Sequence, residues 1–381
     1  MNPSLIFIAI ALFTWGIGDG MYFYFMPIYL EQLGATPVQR GFIFGVFGFM
    51  MLIAHAPSGY LSDKWGRRQL LRLNWIVGVL GALGMAAATS LWTFAAAYWV
   101  YGLTASVTSP LFSYVTAARG KMTAGRAMTL ISATFSLGMI FGPSTGGWIG
   151  EQYGLRTIFM VIVVVFSVSL VFMFFLRPQP RDEFAAHETN EKLSANSRYL
   201  TMLGVIFVTT FAMYLPQTLT PNFLEGERGL TIAQMGWVGT VGSLGNFVLN
   251  LLLGSMKARI GFVLGQALVA LFALAIWKGT GIPFYMLGYF LLGGYRVARM
   301  LAFAQVRSLI HQAQMGLAYG LAETAGSFAT ILAPLLAGYM YDNEPASVYP
   351  LGLLLIPAAM VITLIFAPRE KLQPVEVGLK S

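Results

Sequence analysis

"GYLSDKWGRR", residues 59–68, is a short polar interruption between two apolar runs, 40–61 and 69–89. Each run is about 20 residues long, which as a helix spans the roughly 30 Å hydrocarbon core of a bilayer. Gly66 allows a tight turn between them. Gly59 allows close helix approach. Asp63 can face a helix N-terminus, where the dipole favours a carboxylate. Lys64, Arg67 and Arg68 can anchor at lipid headgroups and pair with acids. The stretch reads as the turn of a helical hairpin in a membrane, with its basic end on one side.

The rest of the chain repeats this pattern. Its 381 residues are 57% hydrophobic and only 10% charged, against about 25% charged in an ordinary soluble domain. Unpaired backbone groups are too costly in hydrocarbon, so only helices or closed barrels cross it. The apolar runs are uniform, not alternating, which makes this an all-α integral membrane protein. There is no cysteine, so disulfides, thiolate catalysis and cysteine metal sites are excluded. His55, His187 and His311 are too scattered for zinc spacing, and neither metal nor other cofactor is expected. The first apolar run starts almost at Met1, too long and too poor in early basic residues for a signal peptide, and is expected to be retained.

Twelve spans are expected, at 4–33, 40–61, 69–89, 92–118, 125–150, 155–176, 199–224, 231–256, 260–278, 282–309, 316–340 and 347–367. Basic residues alternate between the connections. One set holds Lys64, Arg67, Arg68, Arg119, Lys121, Arg177, Arg181, Lys192, Lys257 and Arg307 among others. The opposite set holds only Arg40, Arg156, Arg228 and Lys278. The bias predicts both termini in the cytoplasm and makes the net charge of +8 a mark of topology. "RPQPRDEFAAHETNEKLSANSR", 177–198, reads as a cytoplasmic linker between six-helix bundles at 1–176 and 199–381.

The two bundles look like copies. "GYLSDKWG" (59–66) lines up with "GSMKARIG" (254–261), and "PIYLEQLG" (27–34) with "PNFLEGERG" (221–229). Gly125 and Pro143 are spaced like Gly316 and Pro334. Duplicated halves of this kind place a substrate site at their interface, near the bilayer midplane.

The order G-x-L-x-D-x-x-G-R-R in 59–68, with twelve spans, a central linker and the weak repeat, resembles the major facilitator superfamily over essentially the whole chain. The resemblance implies that the loop is a cytoplasmic latch of Gly59, Asp63, Gly66 and Arg67, with Asp63 meeting the start of span eleven near Gly316. The second copy has Ala258 where the acid would be, so one latch is expected. In "GMIFGPSTGG", 138–147, Gly138, Gly142, Gly146 and Gly147 form a stripe that permits tight helix packing, and Pro143 favours a bend. This spacing resembles the motif that marks drug–proton antiporters, which implies export. Span four departs from that group: Tyr98 stands where antiporters carry an arginine.

Ionisable residues deep in a membrane are costly and mark function. Asp19, Arg296, Arg299 and Glu323 qualify. At 1.5 Å per residue, Arg299 lies roughly 15 Å from the inner boundary, Arg296 roughly 20 Å and Glu323 roughly 10 Å. Neighbouring helices then pair Glu323 with Arg299, as a structural salt bridge or as part of the site. Arg296 is left facing the interface with Asp19 opposite, although depth alone allows the two arginines to exchange these places. Arginine stays charged, whereas a desolvated carboxyl can gain or lose a proton. Asp19, with Glu323 second, is the expected proton-coupling residue; a fixed counter-ion is the other reading. Helical spacing adds Tyr22 to the Asp19 face, with Phe23 and Met26, and Tyr289 to the arginine face. Tyr98, Tyr101, Gln217, Asn222, Asn246 and Asn250 add polar edges, as substrate contacts or as interhelical hydrogen bonds. His55 reads as a packed or interfacial histidine.

These features predict a secondary transporter that exports an amphipathic or anionic small molecule, coupled to protons, by alternating access. Uptake of an organic anion with protons, and movement of lipids or lysolipids, are the alternatives. An enzyme would need a nucleophile–base set or metal ligands at membrane depth, and scarce histidine and absent cysteine argue against one. The expected partners are a small-molecule substrate, protons and membrane lipids, with no nucleic acid, and the chain is expected to act as a monomer in the cytoplasmic membrane.

Overall fold

Proline and glycine decide which spans run straight. A computed structural model describes residues 2–122, 124–178, 196–310 and 315–368. The side-chain surroundings of 56–60, 62–63, 109, 124–125 and 315–317 also lie outside the described residues, and with them the calls on Gly59, Asp63 and Gly316. Most of the linker, His187 and His311 are likewise outside.

Span one is α1 (Pro3–Phe23) followed by α2 (Met26–Gln32). Spans two and three are α3 (Pro37–Trp65) and α4 (Arg67–Ala87). Span four is α5 (Leu91–Gly102), a 3-10 stretch (Leu103–Val107) and α6 (Thr108–Ala118). Spans five and six are α7 (Ala124–Tyr153) and α8 (Leu155–Phe174). Span seven is α9 (Ser197–Tyr214), a 3-10 turn (Leu215–Gln217), α10 (Thr220–Asn222) and a π-helical turn (Phe223–Glu227). Spans eight and nine are α11 (Ile232–Leu253) and α12 (Ala258–Lys278). Span ten is α13 (Ile282–Leu292) with α14 (Gly294–Arg307), and α15 (Met315–Asn343) and α16 (Val348–Phe366) complete the chain.

Ten of these spans are long and apolar enough to cross a membrane as they stand. Spans four and ten, each made of two shorter helices, are not among these ten. The reading of spans one, four, seven and ten as unbroken helices is thereby corrected. Pro27 is the second residue of α2, and Pro216 and Pro221 lie in span seven; each lacks the N–H that a continuous helix needs. In span ten the cause is packing. A methyl group on Gly293 would come within 2.6 Å of the Gly245 carbonyl carbon, and one on Gly294 within 2.7 Å of Gly265 O. The broken spans are the first, fourth, seventh and tenth, one in every three. Irregular backbone survives at membrane depth only inside protein or along a cavity, so these four spans mark the interface.

Glycines bring the halves together at the end away from the termini. A methyl on Gly41 of α3 would lie 2.3 Å from Pro334 O of α15, and one on Gly338 of α15 would lie 2.5 Å from Pro37 O. The second half repeats this with roles exchanged. A methyl on Gly236 of α11 would meet Pro143 O of α7 at 2.6 Å, and one on Gly147 would meet Gly236 Cα at 2.8 Å and Ile232 O at 3.0 Å. The repeat puts Gly41 opposite Gly236 and Pro143 opposite Pro334, so two equivalent glycine–proline seams close this far end. Hydrogen bonds between the halves reinforce it: Ser144 N donates to Thr240 Oγ1 at 3.1 Å, and Ala233 N to Glu151 Oε2 at 3.1 Å. At the end that carries the termini, a methyl on Gly320 of α15 would meet nothing within 4 Å among the described residues. One on Gly326 would meet only Ile206, of its own half, at 3.9 Å. Among the described residues, the glycine contacts between the halves are at the far end, and none is found at Gly320 or Gly326.

The span-five glycines serve two neighbours. Methyls on Gly138, Gly142 and Gly146 would fall 2.1, 2.4 and 2.5 Å from the carbonyl oxygens of Phe13, Ile17 and Met21 on α1, so these three seat span one against span five. Gly147 faces the other half. Gly66, with φ +89°, turns the chain between α3 and α4 in a region that L side chains rarely adopt.

Candidate functional site

Asp19 rests on an aromatic stack in the first half. Trp15, one turn earlier on α1, lies parallel to Phe166 of α8 with centroids 4.0 Å apart. Tyr101 of α5 stacks beside both, at 6.2 and 5.8 Å. Gly78 of α4 makes the room, since a methyl there would reach the Trp15 ring at 2.1 Å. The Tyr101 hydroxyl donates to Asp19 Oδ1. Tyr22 stands edge-on to Tyr101 at 5.7 Å and turns its polar end toward the same carboxylate. A phenol can donate to either protonation state of a carboxyl group, so Asp19 keeps its place through a proton cycle.

The second half supplies the charges on α14 and α15. Arg299 Nη2 donates to Glu323 Oε2, the pairing that helix neighbourhood predicts. The pair is not dry: the two side chains are 41% and 40% exposed, because it lies toward the end that carries the termini. Tyr295 lies beside Arg299 with its ring 5.9 Å from that of Tyr214 on α9, and His55 of α3 lies within electrostatic reach of the pair. Arg296, one turn earlier on α14, is exposed. It makes no hydrogen bond or ion pair with any described residue, while Asp19, Tyr24, Tyr295 and Arg299 are within electrostatic reach.

Tyr24 closes the site toward the far end. It follows the break in span one and leans across into the second half. A methyl on Gly239 of α11 would touch its ring at 2.7 Å. Its hydroxyl is 3.4 Å from Ser243 Oγ, and its ring is 5.7 Å from that of Tyr289.

The other expected site residues are held by their own neighbours. Tyr98 is buried flat against Phe47 of α3, with centroids 4.1 Å apart. Gln217 and Asn250 donate to carbonyls of their own helices, Met213 O at 2.9 Å and Asn246 O at 2.7 Å, and Asn246 is half-buried on that helix. Tyr289 is on α13 and the arginines are on α14, so the break at Gly293 separates residues that a continuous helix would align. Met26 is buried, and Phe23 is exposed. Asn222 is not at a polar edge of the cavity. It is buried at the far end, where it donates to Pro27 O at 3.0 Å and Glu31 Oε2 at 2.5 Å.

Glu31 and Arg40 are the largest omission from the sequence reading. Arg40, expected as a loop charge, is 2% exposed at the start of α3. It donates to Glu31 Oε2 at 2.5 Å and lies over the Tyr341 ring of α15 at 5.4 Å. The available signal was Glu31 within the repeated "PIYLEQLG". Tyr24, Tyr214, Ser243 and Tyr295 were also missed, because apolar-run reading treats Tyr and Ser as filler.

The Major Facilitator Superfamily profile matches residues 8–225 and 201–380. The chain belongs to the Major Facilitator Superfamily. It is a multi-pass membrane transporter of this superfamily, not an enzyme. It is 23% identical over 350 residues to multidrug resistance protein 2 of Bacillus subtilis, covering 87% of each chain. It is 24% identical over 402 residues to the class E tetracycline resistance protein of Escherichia coli, covering 98% of each. Its fold matches the nucleoside transporter NupG with a TM-score of 0.76 at 13% identity, over 95% of this chain and 98% of that one. It also matches the human organic anion transporter MFSD10, with a TM-score of 0.69 at 16% identity over 95% and 99%.

Proposed function

We propose that the chain is a proton-coupled secondary transporter of an amphipathic or anionic small molecule. It works by alternating access in the cytoplasmic membrane, with both termini in the cytoplasm. What supports this reading is that Asp19 from one half and Arg296 from the other lie within electrostatic reach of each other, between halves whose glycine contacts among the described residues are at the far end. Rocking the halves so that the glycine seams part would expose the same residues to the opposite side. Asp19, with Glu323 second, carries the proton, and tyrosines supply apolar walls with polar edges.

Relatives named for multidrug and tetracycline resistance support export. A second reading, in which an organic anion moves together with protons, is favoured by the guanidinium of Arg296, which has no hydrogen-bonded or ionic partner among the described residues.

The test is a thermal-shift screen of the purified protein with organic anions, amphipathic cations, sugars and lysolipids. Each stabilising compound is then followed in proteoliposomes with and without a pH gradient. A stabilising compound whose flux responds to the gradient supports the proposal. Flux that ignores the gradient removes proton coupling, and lysolipid transfer between leaflets moves the chain to lipid translocation.

A further inference from the structure

We infer that His55 of span two is a proton site governing the end that carries the termini: when protonated, it pairs across the halves with Glu323 of span eleven and holds that end shut. This rests on the rocking of the halves and adds to it a switch set by the pH at that end.

The register of two helices carries the inference. α3 and α15 pack against each other in opposite directions across the boundary between the halves. A methyl on Gly41 would find Pro334 O at 2.3 Å, one on Gly45 would find Ile331 O at 3.1 Å, and one on Gly48 would find Thr330 O at 3.5 Å. Residues 41, 45 and 48 advance by four and three, along one face of a helix. The next steps on that face are Leu52 and His55. On α15 the matching face runs from Gly338 and Pro334 through Ile331 to Ser327 and Glu323. Continued at the register its glycines set, the seam brings His55 opposite Glu323. His55 is already within electrostatic reach of Glu323 and Arg299.

The seam also loosens in that direction. The backbone across it recedes from 2.3 to 3.1 to 3.5 Å between Gly41 and Gly48, and Glu323 is 40% exposed. His55 and Glu323 therefore lie where the helices have begun to part. Rocking that separates the Gly41 end brings the His55 end together.

Among the described residues Glu323 takes one hydrogen bond, from Arg299 at Oε2. When the helices meet, the carboxylate loses the water that reaches it, and a donor from α3 must replace that water. A neutral imidazole offers Oε1 an ordinary hydrogen bond. An imidazolium offers a charge-assisted one, roughly twice as strong, and leaves Arg299 in place. Protonation of His55 therefore favours closing. Acid holds this end shut, and loss of the proton as pH rises releases it.

The groups around His55 leave that sign intact. Among the described residues, the charges that act on it are those of Glu323 and Arg299. Arg299 opposes an imidazolium, but it stands on α14, whereas the carboxylate it holds stands on α15, the helix that α3 packs against. The other charged residues of α3 are Arg40 at the far end, and Asp63 and Lys64 about two turns past His55. α4 brings Arg67, Arg68 and Arg72 in its first two turns, and α2 brings Glu31 at the far end. Span four packs on α3 with tyrosines but no acid or base between Leu91 and Ala118.

The experiment uses the full chain in lipid nanodiscs. With no native cysteine, paired spin labels can be placed at Gln69 and Thr201, both exposed near the end that carries the termini, and at Gln39 and Asp342 at the far end. Distances are recorded from about pH 5.5 to 8, which brackets the ordinary histidine range. The short Gln69–Thr201 distance should gain population as pH falls. Its ratio to the long one should rise by up to about tenfold per pH unit, the limit for one linked proton. The far-end distance should lengthen in step. His55→Asn and Glu323→Gln should each abolish the response. His55→Lys, which keeps a positive charge throughout, should hold the short distance at every pH. Melting temperatures show which variants are folded, and the three variants test the pair independently.

The inference is overturned if the wild-type distances ignore pH, or if acid lengthens Gln69–Thr201. It is also overturned if the response survives in His55→Asn, which would assign it to Asp19, Asp63 or Glu323. Gly41→Ala, which loosens the far end without a titrating group, should shorten Gln69–Thr201 at every pH. If it does so while pH moves neither pair, the rocking stands and only the histidine falls. If neither pH nor Gly41→Ala moves either pair, both fall.

Discussion

Asn222 of span seven donates to Glu31 of span one at 2.5 Å, and the same carboxylate oxygen holds Arg40 at 2.5 Å. One oxygen thus receives a hydrogen bond from each half of the molecule. Arg40 completes the junction by lying over Tyr341 of α15, also in the second half. Its counterpart in the repeat is Met235, so the two glycine–proline seams are equivalent but only one carries a charge.

Removing Glu31 should therefore cost more than removing Arg40. Glu31→Ala strands a guanidinium that is 2% exposed, and breaking such a pair costs about 3 kcal/mol, toward the low end because Glu31 is half exposed. Arg40→Met, the residue of the second copy, should cost about 1 kcal/mol. The double variant should melt closer to Arg40→Met than to Glu31→Ala. Equal melting temperatures for both single variants would contradict the arrangement. With no native cysteine, spin labels at Gln39 and Asp342 can report the far end, where Glu31→Ala should lengthen the distance.

The glycine contacts predict two kinds of damage. Gly142→Ala places a methyl 2.4 Å from Ile17 O within one half, and overpacking of this sort costs about 1–3 kcal/mol in any conformation. Gly41→Ala places one 2.3 Å from Pro334 O across the halves, so it should disfavour only the state closed at the far end. Gly142→Ala should lower the melting temperature and leave spin-label distances unchanged. Gly41→Ala should widen the far end with a smaller loss of melting temperature. The reverse pattern would mean that the seams do not separate in the cycle.

Arg299 and Glu323 lie toward the end that carries the termini, and this limits what their pair contributes. A dry pair would cost several kcal/mol to break, but one that is about two-fifths exposed should be nearer 1 kcal/mol. Arg299→Ala should lower the melting temperature slightly, and adding Glu323→Gln should change little further. A loss above about 3 kcal/mol, rescued by the second substitution, would show a desolvated pair.

Asp19→Asn should abolish gradient-driven movement of cargo while exchange of labelled for unlabelled cargo across the membrane continues. Tyr101→Phe removes the hydrogen bond that positions Asp19 but keeps the ring stack, so it should slow gradient-driven flux and spare exchange. Full concentrative transport by Asp19→Asn would remove Asp19 as the coupling residue.

Composition and periodicity were enough for the class of protein and the neighbourhood of Arg299 and Glu323. Each depends on local quantities: length of apolar run, sign of the flanking charge, and rise per residue along adjacent helices. The residues around Asp19 were partly legible for the same reason. Tyr22 follows it by one turn, but Tyr101 enters from a different span.

Lipid dictated helices, so the sequence by itself determined the all-α membrane fold and placed four ionisable groups at depth. The tertiary structure decided the partners that come from distant spans, such as Tyr101 for Asp19. Gly41 meets Pro334, Asn222 meets Glu31, and Tyr24 leans onto Gly239, all across more than 190 residues of chain. Burial of Arg40 follows from how the halves pack. The hydrophobic pattern that inserts each helix in the membrane is nearly blind to rotation and to small-residue seams. Which carbonyl faces which glycine, and which charge is left over, is settled only when the two bundles close on each other.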